Sequence, residues 1–171
     1  MSAERTWLRR AGRLDPGGGE TVLWSVAEGR QGRRWRSLRL DSAGGVISSL
    51  VLELDPGGRW TRLELATSAG MLTLHPDPDA RAAHGNVVTG RGVVPLEFAW
   101  SGRHRLVVAS DPVAAAALRP PRDDDRAAGP GPGLVVGVDL TVKAGDTIAP
   151  AVAPPGGAPD GLPGPSWPLE P

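Results

Sequence analysis

Histidine side chains are the first residues in this chain that suggest reactive chemistry, and there are three: His75, His84 and His104. His75 is followed directly by a Pro-Asp-Pro-Asp segment, and imidazole with carboxylate is a ligand combination that binds divalent metals. Two ligand-type residues on a loop do not make a preformed site, because a metal centre needs three or four convergent protein ligands. We therefore predict no metal site.

Serine, aspartate and histidine also occur close together, as Ser110, Asp111 and His104. These are the residue types of a hydrolytic triad, but the G-x-S-x-G turn that exposes a nucleophilic serine is missing. The three glycines at 17–19 are not followed by Lys-Ser/Thr or by a helix, so they do not form a phosphate-binding loop. We predict no catalytic residue, no cofactor and no enzymatic activity.

Aromatic residues are unusual in this chain, with six tryptophans, one phenylalanine and no tyrosine. Four tryptophans fall on predicted strands: Trp24, Trp35, Trp60 and Trp100. One interpretation is that they fill a core or cover a sheet face. The other is that some of them line a concave apolar groove, since large rings with one polar atom suit an amphipathic ligand.

Arginines cluster around Trp35, which raises the question of nucleic-acid binding. They are Arg30, Arg33, Arg34, Arg36 and Arg39. Alternation along a strand places Arg33 and Arg39 on one face and Arg34 and Arg36 on the other, whereas a dedicated binding stripe keeps its cations together. The formal net charge is zero, with 19 basic and 19 acidic residues. We predict a solvated strand and no nucleic-acid partner.

The stretch from Gly45 to Pro76 predicts three consecutive antiparallel strands, around which the rest of the chain is arranged. On the first strand one face carries Val46, Ser48, Leu50, Leu52 and Leu54. Asp55 to Gly58 has turn chemistry. The second strand, 59–66, carries Thr61, Leu63 and Leu65 on one face and Trp60, Arg62 and Glu64 on the other. The third strand runs from Met71 to His75.

Further alternating segments predict additional strands at 20–27, 33–40, 84–88, 93–100, 103–109 and 134–143. Asp111 and Pro112 suit the N-cap and first position of one short helix. Residues 119–133 are predicted as a mobile loop, and residues 150–171 as a disordered Pro/Gly-rich tail. The predicted fold is a single all-β domain over 1–149: a curved antiparallel sheet or half-barrel of about 8–10 short strands with one short helix.

Composition limits the remaining choices. No cysteine is present, so disulfides and cysteine-based metal sites are excluded, and the high glycine (24) and proline (18) content predicts many turns. No stretch approaches the ~20 apolar residues of a membrane span, and the N-terminus lacks the apolar core of a secretory signal. We expect a cytoplasmic protein without a transmembrane segment. No pattern sets an oligomeric state.

Several short motifs follow one another in a recognisable order. Trp7, Arg9, Arg10, Gly19 and Glu20 come first, then Leu-Glu-Leu-Asp at 52–55 and Arg-Trp-Thr-Arg-Leu-Glu-Leu at 59–65. This order resembles the glycolipid-binding family, whose fold is similar to the open half-barrel sheet of lipoprotein-localisation proteins. The resemblance covers roughly residues 5–118. The family's later Thr-Asn and paired-arginine motif is replaced here by 106–112 and a run of alanines.

The resemblance implies a non-enzymatic sheet that holds a lipid-like molecule in its concave face. Together with the tryptophans, it predicts a binding protein for an amphipathic or glycolipid-like ligand, with a lipid or glycolipid as partner. The predicted ligand-binding residues are Trp24, Trp35, Trp60, Arg62 and Trp100. The alternative is a protein-interaction module that uses exposed strand edges or the tail and has no small-molecule ligand.

Overall fold

The computed structural model describes residues 8–79, 81–101, 104–118 and 131–148. The strands are β1 (Leu8–Gly17), β2 (Glu20–Gly29), β3 (Gly32–Leu40), β4 (Val46–Leu54), β5 (Trp60–Thr67), β6 (Gly70–Pro76), β7 (Ala82–Thr89), β8 (Gly92–Ala99), β9 (Arg105–Val108), β10 (Gly131–Val136) and β11 (Val142–Ile148), and the helix is α1 (Pro112–Ala117). The predicted all-β class is confirmed.

Strands β1 to β8 form one antiparallel meander in which each strand pairs with the next along the chain. The described part of this sheet is not closed into a barrel, so β1 and β8 are its edges. Edge strands invite pairing with other chains because their backbone groups are free. Pro95 lies within β8 and cannot donate a ladder hydrogen bond, which protects that edge from further pairing.

One face of the sheet, here called the inner face, is built from rows of leucine and tryptophan that the strand register aligns. Two such rows, followed from β3 to β6, are Trp35–Leu52–Leu63–Leu74 and Ser37–Leu50–Leu65–Leu72. All eight side chains are buried. Directly paired residues of an antiparallel sheet share a face, so the alternation in the sequence becomes a continuous apolar layer across several strands.

A second layer covers the inner face, and we call it the cover: α1 together with a three-stranded sheet in the order β11–β10–β9. Its buried residues, including Leu106, Val113, Leu134 and Val136, belong to the same hydrophobic cluster as the inner face. β9 and β10 run parallel, and α1 lies between them in the chain. A parallel pair requires such a crossover, which sequence alternation alone did not reveal.

The prediction of one continuous strand at 134–143 is wrong. A turn at 137–141 divides this segment into the end of β10 and the start of β11, which form a hairpin. The Gly137 N–H donates to the Thr141 carbonyl (2.9 Å), and the Leu140 N–H donates to the Gly137 carbonyl (3.0 Å). The Asp139 carboxylate accepts hydrogen bonds from the Thr141 hydroxyl (2.7 Å) and from the Thr141 N–H (3.2 Å). These two bonds lower the pKa of Asp139 below its ordinary value. This local turn chemistry overrides the alternation of apolar residues.

A β-bulge at Thr61 corrects the predicted facing of Trp60. Glu53 pairs with Arg62, but the next residue, Leu54, pairs with Trp60, so Thr61 is the extra residue. The cause is the Asp55 turn, which fixes the end of the hairpin one residue out of step with the leucine rows. Trp60 therefore shares the inner face with Leu63, instead of sharing the outer face with Arg62 and Glu64.

The turn that forces this bulge is closed by Asp55. Its N–H donates to the Arg59 carbonyl (2.7 Å), and its carboxylate accepts from the Arg59 N–H (2.9 Å). Burial raises the pKa of Asp55, but the hydrogen bonds and charge of Arg59 outweigh burial and leave it below its ordinary value. Asp41 closes the turn before β4 in the same way. The resulting bulge turns Val46 away from the inner face, and the Val46 side chain is 60% exposed.

The predicted helix is confirmed. The Asp111 carboxylate caps it by accepting from the Val113 N–H (3.0 Å) and the Ala114 N–H (2.8 Å). No helix in the described part of the chain is long and apolar enough to cross a membrane. Of the predicted loop at 119–133, residues 131–133 instead begin β10, while 119–130 lie outside the described residues, as does the predicted tail at 150–171.

Candidate functional site

The four predicted tryptophans all lie in the layer between the inner face and the cover. Trp24, Trp35, Trp60 and Trp100 are only 2–6% exposed. They form two pairs: Trp24 and Trp35 have ring centroids 6.3 Å apart, and Trp60 meets Trp100 edge-on at 5.0 Å. Edge-on and tilted packing of this kind is favourable beyond the area it buries. The structure therefore places the four predicted tryptophans in one buried layer, as two pairs.

Three of these indoles carry an N–H group that has no acceptor among the described residues. They are Trp24, Trp35 and Trp60, and the Nε of Arg39 is in the same situation. A buried donor without an acceptor costs on the order of 1–3 kcal/mol, and such groups are few in folded proteins. Their concentration in one layer is therefore a feature that requires a functional or structural reason.

A short polar strip on the inner face accompanies these donors and ties the sheet to the cover. The Ser37 hydroxyl on β3 donates to the Asp111 carboxylate at the start of α1 (2.7 Å). Next to Ser37 on the same face, Arg39 donates from Nη2 to Glu20 (2.6 Å). Ser37, Arg39 and Asp111 are all buried, so the layer between sheet and cover is not purely hydrocarbon.

Arg62, the fifth predicted ligand-binding residue, is separated from the tryptophans. It lies on the outer face, which is the opposite side of the sheet, and its guanidinium forms an ion pair with Glu64. The bulge at Thr61 explains the separation, because it turns Trp60 inward while Arg62 stays outward. Arg62 cannot contact a ligand that lies among the tryptophans.

The histidines do not converge on one centre. His75 and His84 are cross-strand neighbours with rings 6.4 Å apart, and His84 Nε2 lies 3.1 Å from Asp77. The described residues contain no group of three histidine, aspartate or glutamate side chains placed to hold a metal ion. His104 instead contacts the Ser101 hydroxyl at 2.7 Å, while Asp111 is engaged by the helix cap and Ser37.

The outer face holds a groove that the sequence interpretation missed. Its volume is about 360 Å³, and its lining includes Arg9, Ala11, Ser25, Ala27, Arg34 and Arg36. Alternation correctly placed Arg34 and Arg36 on one face, but it could not show that small residues of β1 and β2 lie opposite them. The missing information was the register of β1 and β2 against β3.

An apolar row crosses the outer face next to this groove. Consecutive pairings align Leu23, Leu38, Ser49, Ala66, Met71, Val88 and Val93 across seven strands. Leu23, Met71, Val88 and Val93 are 37–64% exposed. Single exposed apolar residues are common on protein surfaces, whereas a contiguous exposed apolar row is less common and is typical of an interaction surface.

The chain matches no protein-family model, no curated protein and no solved structure. The resemblance to the glycolipid-binding family stays a prediction, and function is inferred below from the residues just described.

Proposed function

We propose that this chain is a non-enzymatic binding protein for an amphipathic, glycolipid-like ligand held on the inner face of the eight-stranded sheet. The observation that carries the proposal is a group of buried donors that have no acceptor among the described residues: the indole N–H groups of Trp24, Trp35 and Trp60. A ligand with several hydroxyl, ether or carbonyl oxygens supplies acceptors for such donors, which turns a cost in the free protein into binding free energy.

The surroundings of these donors suit the second half of an amphipathic molecule. The leucine rows of β4 to β6 form a continuous apolar layer beside the tryptophan pairs. Each methylene group that leaves water for such a layer contributes about 0.8 kcal/mol. The ligand therefore binds with its sugar-like oxygens at the indole N–H groups and with its acyl chain along the leucines.

Ligand binding at this place requires the cover to separate from the sheet, because α1 and β9–β11 occupy the inner face. The contact between Ser37 and Asp111 holds α1 on β3. Val113, Ala114 and Ala116 are buried on the helix, and the alanines contribute little apolar area of their own. Separation of the cover is thus a two-state change that a ligand favours by binding only the open state.

The test is a titration with a glycolipid and, in parallel, with a plain fatty acid, followed by intrinsic tryptophan emission. Trp24→Phe, Trp35→Phe and Trp60→Phe each keep an aromatic ring and remove the N–H donor. Each should weaken glycolipid binding about five- to tenfold, the net value of one hydrogen bond. Fatty-acid binding should change less, because that ligand has fewer acceptor oxygens.

Trp100→Phe is the matched control, because Trp100 is equally buried and its N–H is not among the unpartnered donors. Trp100→Phe removes a similar ring volume, so the loss of affinity in this variant measures the effect of ring volume alone. We expect that loss to be smaller than the loss in the other three variants. Equal losses in all four variants would refute a role for the N–H groups. If neither lipid gives a saturable signal, the protein-interaction module, using the exposed apolar row, becomes the better proposal.

A further inference from the structure

Two adjacent rows on the outer face of β1, β2 and β3 combine small and cationic residues in one pattern. The first row is Arg9–Ala27–Arg34 and the second is Ala11–Ser25–Arg36. The middle strand contributes only small side chains, while long guanidinium side chains stand on the strands beside it. This arrangement produces the groove of about 360 Å³.

The described residues around the groove do not balance its positive charge. Glu53 on β4 accepts a hydrogen bond from Arg34 Nε (2.7 Å) and neutralises that guanidinium. Neither Arg9 nor Arg36 makes an ion pair or a hydrogen bond with a described residue. No acidic residue lines the groove. The local excess of positive charge stands out because the whole chain is formally neutral.

We propose that this outer-face groove binds the phosphate group of a small phosphate monoester. Guanidinium groups present paired N–H donors that match the oxygens of phosphate, and Arg9 and Arg36 approach from two different strands. The Ser25 hydroxyl, between Ala11 and Arg36 in the register, supplies a further donor for a third oxygen. A carboxylate has only two oxygens and satisfies fewer of these donors. The volume lies at the lower end of the ~300–1,000 Å³ range of small-molecule sites.

Neutralisation elsewhere on the outer face argues against an extended nucleic-acid surface. Arg34 and Arg62 are paired with Glu53 and Glu64, so the carboxylates of β4 and β5 interrupt the positive charge across the outer face. Nucleic acids are bound by a stripe of cations that follows successive phosphates. The groove is on the opposite face from the tryptophans, so this proposal does not depend on a ligand entering the inner face.

The test is calorimetric titration of the full chain with inorganic phosphate and with glycerol 3-phosphate. Arg9→Gln and Arg36→Gln should each weaken binding about tenfold or more, since each removes a charged donor. Both side chains are exposed, so the melting temperature should not change. Arg62→Gln, an exposed outer-face arginine with its own carboxylate partner, is the matched control and should leave phosphate binding unaffected.

Two further ligands identify the source of the phosphate. The first is vesicles of phosphatidylcholine that contain phosphatidic acid. If the vesicles bind more tightly than glycerol 3-phosphate, and the binding is weakened by Arg9→Gln and Arg36→Gln, the source of the phosphate is a lipid headgroup. Absence of saturable binding to phosphate, glycerol 3-phosphate and these vesicles would overturn the proposal. So would binding that is equal in wild type and both variants, or binding of single-stranded DNA alone, which would indicate a nucleic-acid surface instead.

Discussion

The two faces of the eight-stranded sheet are made by the same strands and yet differ in almost every physical property. The inner face is leucine and tryptophan, buried beneath the cover. The outer face carries ion pairs such as Arg34 with Glu53, the arginines Arg9 and Arg36 that have no described ion-pair partner, and an exposed apolar row. Alternation with a period of two residues lets one strand serve both purposes independently.

The comparison shows where stability resides and where binding chemistry can vary. Substitutions on the inner face change packing in an interior as dense as an organic crystal, so they change the free energy of unfolding. Substitutions on the outer face remain in contact with water, so they change surface recognition with little effect on folding. The inner tryptophans are the exception, because three of them place N–H donors that lack a described acceptor within the stabilising layer, and the proposed function assigns binding to these donors.

Adjacent residues of β5 give the largest expected contrast between the faces. Leu63 is 0% exposed, whereas Glu64 lies on the outer face beside Arg62. Leu63→Asp buries an unpaired carboxylate at a cost of several kcal/mol, comparable with the ~5–15 kcal/mol that stabilises a whole domain. Glu64→Lys loses an exposed ion pair worth about 0–1 kcal/mol. Urea unfolding measures both, and equal midpoints would show that the assigned facing is wrong.

The contact between sheet and cover gives the next largest effect. Asp111→Ala removes the helix cap and leaves the Ser37 hydroxyl buried without an acceptor. The two losses together should lower the free energy of unfolding by about 2–4 kcal/mol. Asp79→Ala, an exposed aspartate, is the control and should stay within about 0.5 kcal/mol. Thermal unfolding distinguishes the two; an Asp111→Ala protein as stable as the control would argue against this link.

Deletion of Thr61 should have the smallest effect of the three. Removing the bulged residue leaves Glu53 paired with Arg62 and Leu54 paired with Trp60, so the register becomes regular and Trp60 stays inward. The destabilisation should be smaller than that of Asp111→Ala. Tryptophan emission and acrylamide quenching report whether Trp60 remains buried. A newly quenchable tryptophan after the deletion would place Trp60 on the outer face and contradict the bulge.

Sequence patterns were sufficient for the elements that depend on local alternation and local turn chemistry. The strands of the central meander and the helix capped by Asp111 follow from them. The bulge at Thr61 did not, because it arises from a conflict between the Asp55 turn and leucine pairing several residues away. The cover was also missed, since the parallel pairing of β9 with β10 joins segments far apart in the chain.

The candidate sites divide in the same way. Residue type singled out the tryptophans, and alternation correctly separated Arg34 and Arg36 from Trp35. The grouping of Arg62 with Trp60 failed because one extra residue in a strand reverses the facing of all that follow it. The arginine groove needs three strands in register, which no single segment of sequence specifies.

The most direct test of the central claim is the NMR signal of each indole N–H during titration with a glycolipid. A hydrogen bond deshields the N–H proton, so the signals of Trp24, Trp35 and Trp60 should move downfield as the ligand saturates. The Trp→Phe variants assign the signals, and the Trp100 signal should move least. Saturable binding that leaves the three signals unmoved would show that these donors do not contact the ligand, and would contradict the proposed function.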